Sequence, residues 1–409
     1  MTEPIDISRL RLRLRLPTPN QLAKARRRVA TTPEVDSLLN RNAVVAVGVS
    51  GGKDSVAVAL ATARHLDDIG HTGPRLLIHS DLGRVEWKDS LPACERLAAV
   101  MGWQLVVVSR SAGDMLARWE GRWAANVRRY TELECVKLIL PWSTPSMRFC
   151  TSELKTAIIT RELRKRFPGQ DILNVTGVRR QESDARSKMP VAAPMTAHAR
   201  KNAVGFSWNA IIEWSIEEVL QEIADAGLAL HQAYTTYGAS RVSCAYCIMS
   251  AYADLVAAAS CPDNQPLYVQ MVELEATSGF GFQGNRWLAD VAPHLLSPEL
   301  QARIDAAKSG AKRRVELESL LPKHLHYVKG WPVGLPTPDE AELIAHVRRG
   351  VAAVLGLTVK YTTGIEVLAR YSELLAAKAA KAPMPAVVEA ATDDESEVVP
   401  AQRELVFDF

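Results

Sequence analysis

The chain has 409 residues, 47% of them hydrophobic and 23% charged, with a net charge of +3. This is the composition of an ordinary soluble globular protein with room for two domains and extensions, and no apolar run approaches the roughly 20 residues that a membrane span needs. The Arg-rich start lacks the apolar stretch of a secretory signal, so the reading is cytoplasmic, and six cysteines in so long a chain exclude a secreted disulfide framework.

The small net charge conceals an asymmetry. Residues 1–41 carry nine Lys/Arg against four Asp/Glu, while residues 383–409 carry one Arg against seven acids. The alternation Arg9-Leu10-Arg11-Leu12-Arg13-Leu14-Arg15-Leu16 suits an edge strand with a basic outer face. A basic N-terminal arm over 1–41 can add phosphate contacts to a nucleic-acid partner or be a solvated face, and both readings stay open.

The apolar run Val44–Val49 is a strand, and Val56–Ala61 opens a helix; between them stands Ser50-Gly51-Gly52-Lys53-Asp54-Ser55. A strand that passes through a Gly-rich turn into a helix aims backbone N–H groups outward at the positive helix end, which makes an anion site. The glycines allow close backbone approach, Ser50 and Ser55 add hydroxyls, and Lys53 adds a mobile cation. The spacing is neither the Walker loop nor GxGxxG.

Further strand-like runs at 76–79, 105–108 and 172–175 alternate with helix-like stretches at 55–69, 88–101 and 152–167. Such alternation predicts right-handed βαβ units and a parallel sheet, with ligands at the carboxyl ends of the strands. Ser80-Asp81-Leu82-Gly83, Ser109-Arg110 and Thr176-Gly177-Val178-Arg179-Arg180 fall at those ends. Arg179, Arg180 and Arg186 crowd beside the Gly177 turn and form a candidate anion clamp, because Arg favours bidentate oxyanion contacts.

The nucleotide-binding domain is placed at 42–204. From 205 to 375 the chain reads mostly helical, with Ser215 and Glu218 forming a capping box and Gly/Pro breaks at 278–285 and 330–338. A CxxC, Cys244 to Cys247, lies in this region, followed by Cys261; Cys150 stands upstream. Thiolates at i and i+3 can share one ion, and two more complete a Cys₄ set for an iron–sulfur cluster or a structural zinc. Cys94 and Cys135 read as buried core. Residues 376–409 form an acidic tail, expected to be disordered over 376–401. It ends in Gln402-Arg403-Glu404-Leu405-Val406-Phe407, which resembles a peptide that docks on the bacterial sliding clamp.

The Ser50–Ser55 segment resembles the PP-loop of the ATP-pyrophosphatase superfamily, whose members cleave ATP between the α and β phosphates or bind an adenylyl-sulfate. Together with Asp81-Leu82-Gly83, Arg148–Lys155 and Gly177–Arg186, in that order, it makes the chain similar to the phosphoadenosine phosphosulfate (PAPS) reductase family over roughly residues 42–262, and to its Dnd-type DNA phosphorothioation subgroup. The resemblance implies a Rossmann-like adenine nucleotide α-hydrolase fold followed by a helical, cysteine-bearing region. It implies that Ser50, Gly51, Gly52, Lys53, Asp54, Ser55, Asp81, Lys155 and Gly177 hold the nucleotide. Lys53, Asp54, Arg179 and Arg186 are then the catalytic set, with ATP and Mg²⁺ as cofactors. A [4Fe–4S] cluster on Cys150, Cys244, Cys247 and Cys261 is implied by related reductases.

Thioredoxin-coupled reductases of this family carry a nucleophilic cysteine near the C-terminus, and here no cysteine follows Cys261. The expectation is therefore an ATP pyrophosphatase that adenylates an acceptor for sulfur insertion, as in DNA phosphorothioation. A cysteine desulfurase would supply the sulfur, and nucleic acid or nucleic-acid-modifying proteins would be partners. The alternatives are a PAPS/APS reductase that uses an external thiol, or a nucleotide-sensing partner of a DNA-binding protein.

Overall fold

The computed structural model describes residues 27–199 and 203–381. The Arg9–Leu16 alternation and the Gln402–Phe407 peptide lie outside the described residues, as does the tail beyond residue 381. The strands and longer helices run in chain order as α1 (Pro33–Asn40), β1 (Val44–Gly48), α2 (Lys53–Asp68), β2 (Arg75–Asp81), α3 (Ser90–Met101), β3 (Gln104–Ser109), α4 (Met115–Thr131), α5 (Ala157–Arg166), β4 (Ile172–Val175), β5 (Ala192–Pro194), β6 (Gly205–Trp208), α6 (Ile216–Asp225), α7 (Tyr252–Ser260), α8 (Gln265–Ser278), α9 (Pro298–Ser319), α10 (Pro338–Leu355) and α11 (Gly364–Lys381). Among the described residues no helix is long and apolar enough to cross a membrane.

The chain divides into two compact units, one from residues up to 111 together with 151–245, the other from 112–150 together with residues from 246 onward. The first unit holds a six-stranded sheet in the order β3-β2-β1-β4-β6-β5. Every pairing is parallel except that of β5 with β6. Alternation along the strands sends side chains to both faces. Val45, Val47, Leu77, Leu173 and Val175 pack with α2 residues such as Val58 and Ala61. Val44, Ala46, Leu76, Ile78 and Ile172 meet Ile158, Ile159 and Leu163 of α5. A sheet so covered is what near-continuous apolar strands require.

The sheet continues past residue 204, because β6 pairs with β4 in the register Val175↔Trp208. Residues 27–41, within the expected arm, are packed into this unit. Val35, Leu38 and Leu39 of α1 are buried, Arg27 pairs with Glu222 at 2.7 Å and Asp225 at 2.5 Å, and the Trp208 and Trp214 indoles donate to the Ala30 and Arg28 carbonyls. The Ser215/Glu218 capping box opens α6 as expected.

In the second unit, Trp119, Trp142 and Phe282 meet edge to face, with centroid separations of 5.4 Å for the two tryptophans and 5.1 Å for Trp142 and Phe282. Two buried charges organise the connections around this apolar centre. Glu275 accepts the amides of Phe282, Leu288 and Ala289 at 2.7, 2.7 and 3.0 Å. Arg348, fully buried, donates to the carbonyls of Tyr130, Thr131 and Lys360. Each charge is thus matched by several backbone dipoles, the condition under which a buried ion is tolerated. Helix α11 runs through residues 376–381, against the expectation of disorder from residue 376, since the Ala/Lys run there has high helix propensity.

Candidate functional site

The strand order reverses between β1 and β4, and in an open α/β sheet the crevice outside the carboxyl ends at such a switch is where ligands bind. Ser50–Ser55 leaves β1 there, and Thr176–Arg186 leaves β4. Gly177 shows how closely the two loops approach: a Cβ on it would stand 2.6 Å from the Asp54 carbonyl oxygen. Gly51 has φ +75° and its backbone passes against the Ser90 carbonyl, so the turn demands glycine there.

The first turn of α2 carries backbone N–H groups that have no intrahelical partner, and its N-cap, Gly52, offers no side chain to satisfy them. The loop is held from within by Ser55, whose hydroxyl donates to the Gly52 carbonyl at 2.8 Å and accepts from the Ser50 amide at 3.2 Å. It is held from outside by Tyr234. The Tyr234 hydroxyl accepts the Lys53 amide at 3.3 Å and the Val242 amide at 3.1 Å, and the Lys53 ammonium lies 4.9 Å from its ring centroid. Burial pushes the phenol up to about 12, so it is neutral and keeps its own hydrogen to donate. The Lys53 ammonium also donates to the Ser240 carbonyl at 3.2 Å and lies 3.5 Å from Asp54.

Each of the three clamp arginines has a carboxylate partner. Arg179, buried, pairs through Nε with Asp54 at 2.7 Å, and its amide donates to Glu182 at 2.9 Å. Arg186 pairs with Glu182, and Arg180 with Glu213 at 2.8 Å. Arg180 also donates to the carbonyls of Ser187 and Met189, so it braces its own loop. Asp54 and Arg179 thus form one ion pair and Glu182 and Arg186 another, joined through the Arg179 amide beside the Ser50–Ser55 loop.

Asp81, at the end of β2, accepts the Gly83 amide at 2.7 Å and fixes the Asp81-Leu82-Gly83 turn. Lys155 stands in a π-helical turn, Ser152–Thr156, just ahead of α5. The preceding residue's carbonyl, of Leu154, accepts the Ser80 hydroxyl, which ties the Lys155 segment to the same end of β2 as Asp81.

Two histidines that sequence reasoning missed support this edge. His79 bonds the Val49 carbonyl through Nδ1 at 2.9 Å and Glu86 through Nε2 at 3.1 Å. Burial works against its charged form, yet Cys94 and the Glu86 carboxylate raise it to about 11, so it stays protonated and holds the start of the loop. Burial instead lowers His231, whose Nδ1 accepts the Ala233 amide at 2.9 Å, fixing a neutral ring beside Gly51. Neither histidine, nor Tyr234, stands in a pattern that a linear reading could connect to the loop.

Cys244 belongs to the first unit and Cys150, Cys247 and Cys261 to the second. All are free thiols, Cys261 is buried, and the Cys247 sulfur accepts the Met249 amide at 3.4 Å within its own turn. Among the described residues no three Cys, His, Asp or Glu side chains are grouped so as to hold a metal ion. The four expected ligands are thus divided between two units, and no chemistry is routed through a four-thiolate cluster. Cys94 and Cys135 are buried as expected, and burial pushes the Cys135 thiol up to about 11.

Residues 44–249 match the family of the phosphoadenosine phosphosulfate reductase domain. The chain belongs to this family. Membership in the PAPS reductase domain family supports a nucleotide-binding enzyme of sulfur-related chemistry. Among solved structures, the chain is similar to the phosphate complex of phosphoadenylyl-sulfate (PAPS) reductase from Candida auris, at 12% identity and a TM-score of 0.32, over 53% of this chain and 97% of that one. No curated protein matches the chain.

Proposed function

We propose that this member of the PAPS reductase domain family is an ATP pyrophosphatase, transferring AMP to an acceptor that is then thiolated, and that the acceptor is nucleic acid, as in DNA phosphorothioation. The observation that carries the reading is the α2 N-terminus, whose N-cap, Gly52, contributes no side chain and whose first residue, Lys53, has its amide on the Tyr234 hydroxyl and its ammonium poised at the mouth. There the triphosphate meets backbone N–H groups, the Tyr234 hydroxyl hydrogen and the Lys53 ammonium. An acceptor oxygen attacks the α-phosphorus, the P–O bond to the bridging oxygen breaks, and pyrophosphate leaves with the electron pair. Lys53 swings from the Ser240 carbonyl to follow the charge that grows on pyrophosphate. Arg179 and Arg186, oriented by Asp54 and Glu182, face the α-phosphate or the acceptor. Asp54 is committed to Arg179, so a Mg²⁺ accompanying the nucleotide would offset phosphate charge without Asp54 as its ligand. A cysteine desulfurase is the matching class of sulfur donor.

A reductase would need a thiolate to attack the sulfonate; Cys94, Cys135 and Cys261 are buried and Cys150, Cys244 and Cys247 are half-buried, so product analysis separates the two readings. Labelled pyrophosphate should exchange into ATP in the presence of the chain and a DNA or RNA acceptor. PAPS or APS supplied with a dithiol should release no sulfite. Sulfite at enzymatic rates, with no pyrophosphate exchange, would replace this reading with a reductase that uses an external thiol.

A further inference from the structure

The first unit has a cleft of about 900 Å³ at the end of the sheet opposite the nucleotide loop. It opens at the amino-terminal end of β4, and its walls include Thr160, Arg161, Arg164 and Lys165 of α5, then Phe167 and His198. Arg161, Arg164 and Lys165 stand at i, i+3 and i+4 and so share one helical face. The neighbouring carboxylates are engaged elsewhere. Glu162 pairs with Arg166 at 2.5 Å, and Asp171 pairs with Arg41 at 2.8 Å while accepting the Val204 amide at 2.9 Å. Arg164 has a neutral contact, donating to the Ala197 carbonyl at 3.4 Å.

Cations in the last turn of a helix are accounted for in part by the helix dipole. The dipole does not account for what the cleft wall buries. His198 is 3% exposed with neither ring nitrogen hydrogen-bonded, and Thr160 is 5% exposed with its hydroxyl unpartnered. A buried polar group left unpaired costs about 1–3 kcal/mol, and two in one basic wall point to a ligand that supplies acceptors. Burial and then Arg164 lower His198 to about 4, so the ring is neutral and has one N–H to donate.

The geometry points to a second phosphate site: this cleft binds the phosphates of a nucleotide, free or within a single strand, with Arg161, Arg164 and Lys165 on the phosphates and Thr160 and His198 donating from the wall. The volume suits one nucleotide, and Phe167 supplies a ring on which a base can stack. The inference is independent of the adenylation reading, because no residue of the nucleotide loop takes part.

The test uses the full chain with two probes, a fluorescent 12-nucleotide single strand followed by anisotropy and AMP followed by calorimetry. Arg161→Glu with Lys165→Glu should weaken binding by about tenfold or more and flatten its salt dependence. His198→Phe should weaken it severalfold without lowering the unfolding midpoint, and both variants should leave ATP turnover unchanged. Binding of the oligonucleotide that responds in this way assigns the cleft to a nucleic-acid strand. A second AMP equivalent that the double variant loses, with no oligonucleotide binding, assigns it to a free nucleotide. Double-variant binding equal to wild type with both probes, or no binding of either probe outside the nucleotide loop, would overturn the proposal.

Discussion

Replacing Lys53 with Met should reduce ATP turnover by about 10²–10³-fold, the loss typical when one charge-stabilising donor is removed from a transition state. Folding should be almost unaffected. Among the described residues the Lys53 ammonium contacts the Ser240 carbonyl, Asp54 and the Tyr234 ring, and Asp54 keeps its stronger partner in Arg179 at 2.7 Å. Met retains most of the side chain's length and removes the charge, so the unfolding free energy should change by less than about 1 kcal/mol. Turnover and thermal denaturation measured on the same preparation separate the two effects. Unchanged turnover would remove the nucleotide loop from the chemistry, and a large fall in stability would make Lys53 a structural residue.

Gly177→Ala should act on both stability and binding, although it adds one methyl group. Its Cβ would lie 2.6 Å from the Asp54 oxygen, 2.7 Å from the Asp54 carbonyl carbon and 3.1 Å from the Ser55 nitrogen. These are backbone atoms of the first turn of α2 and cannot rotate away as a side chain could. Relief requires the β4 loop and the helix start to separate, which costs about 1–3 kcal/mol as overpacking and draws Arg179 off Asp54. Nucleotide affinity should fall at least about tenfold, corresponding to some 1.4 kcal/mol. Gly121→Ala is the control, since its Cβ would meet nothing within 4 Å on helix α4, and there alanine should stabilise by about 0.5–1 kcal/mol. Equal behaviour of the two variants, read by calorimetry and nucleotide titration, would show that the Gly177 contact does not position the loop.

Local signals in the chain translate directly into structure. The run Val44–Val49 and its counterparts at 76–79, 105–108 and 172–175 carry enough apolar residues to be strands covered on both faces, and β1 to β4 lie where those runs are. The glycine turn between a strand and a helix, and the Ser215/Glu218 box, are equally local and equally legible. Partners brought together by the fold are not. Tyr234 reaches Lys53 across 181 residues and Asp54 reaches Arg179 across 125. A linear reading sees three arginines near Gly177 as open cations, whereas the fold gives each of them a carboxylate. Helix α4 follows β3 in sequence but belongs to the second unit, and no composition change marks that departure. The cysteine spacing offers a ligand set, but spacing relates only neighbours three residues apart, and among the described residues no three Cys, His, Asp or Glu side chains are grouped to hold a metal ion.

The most direct measurement is the identity of the products when the purified chain turns over ATP, followed by phosphorus NMR. With water taking the place of the acceptor, cleavage at the switch-point loop with Lys53 on the departing phosphates predicts AMP and pyrophosphate in equal amounts, formed about 10²–10³-fold more slowly by Lys53→Met. Accumulation of ADP and inorganic phosphate by the wild-type chain would contradict it.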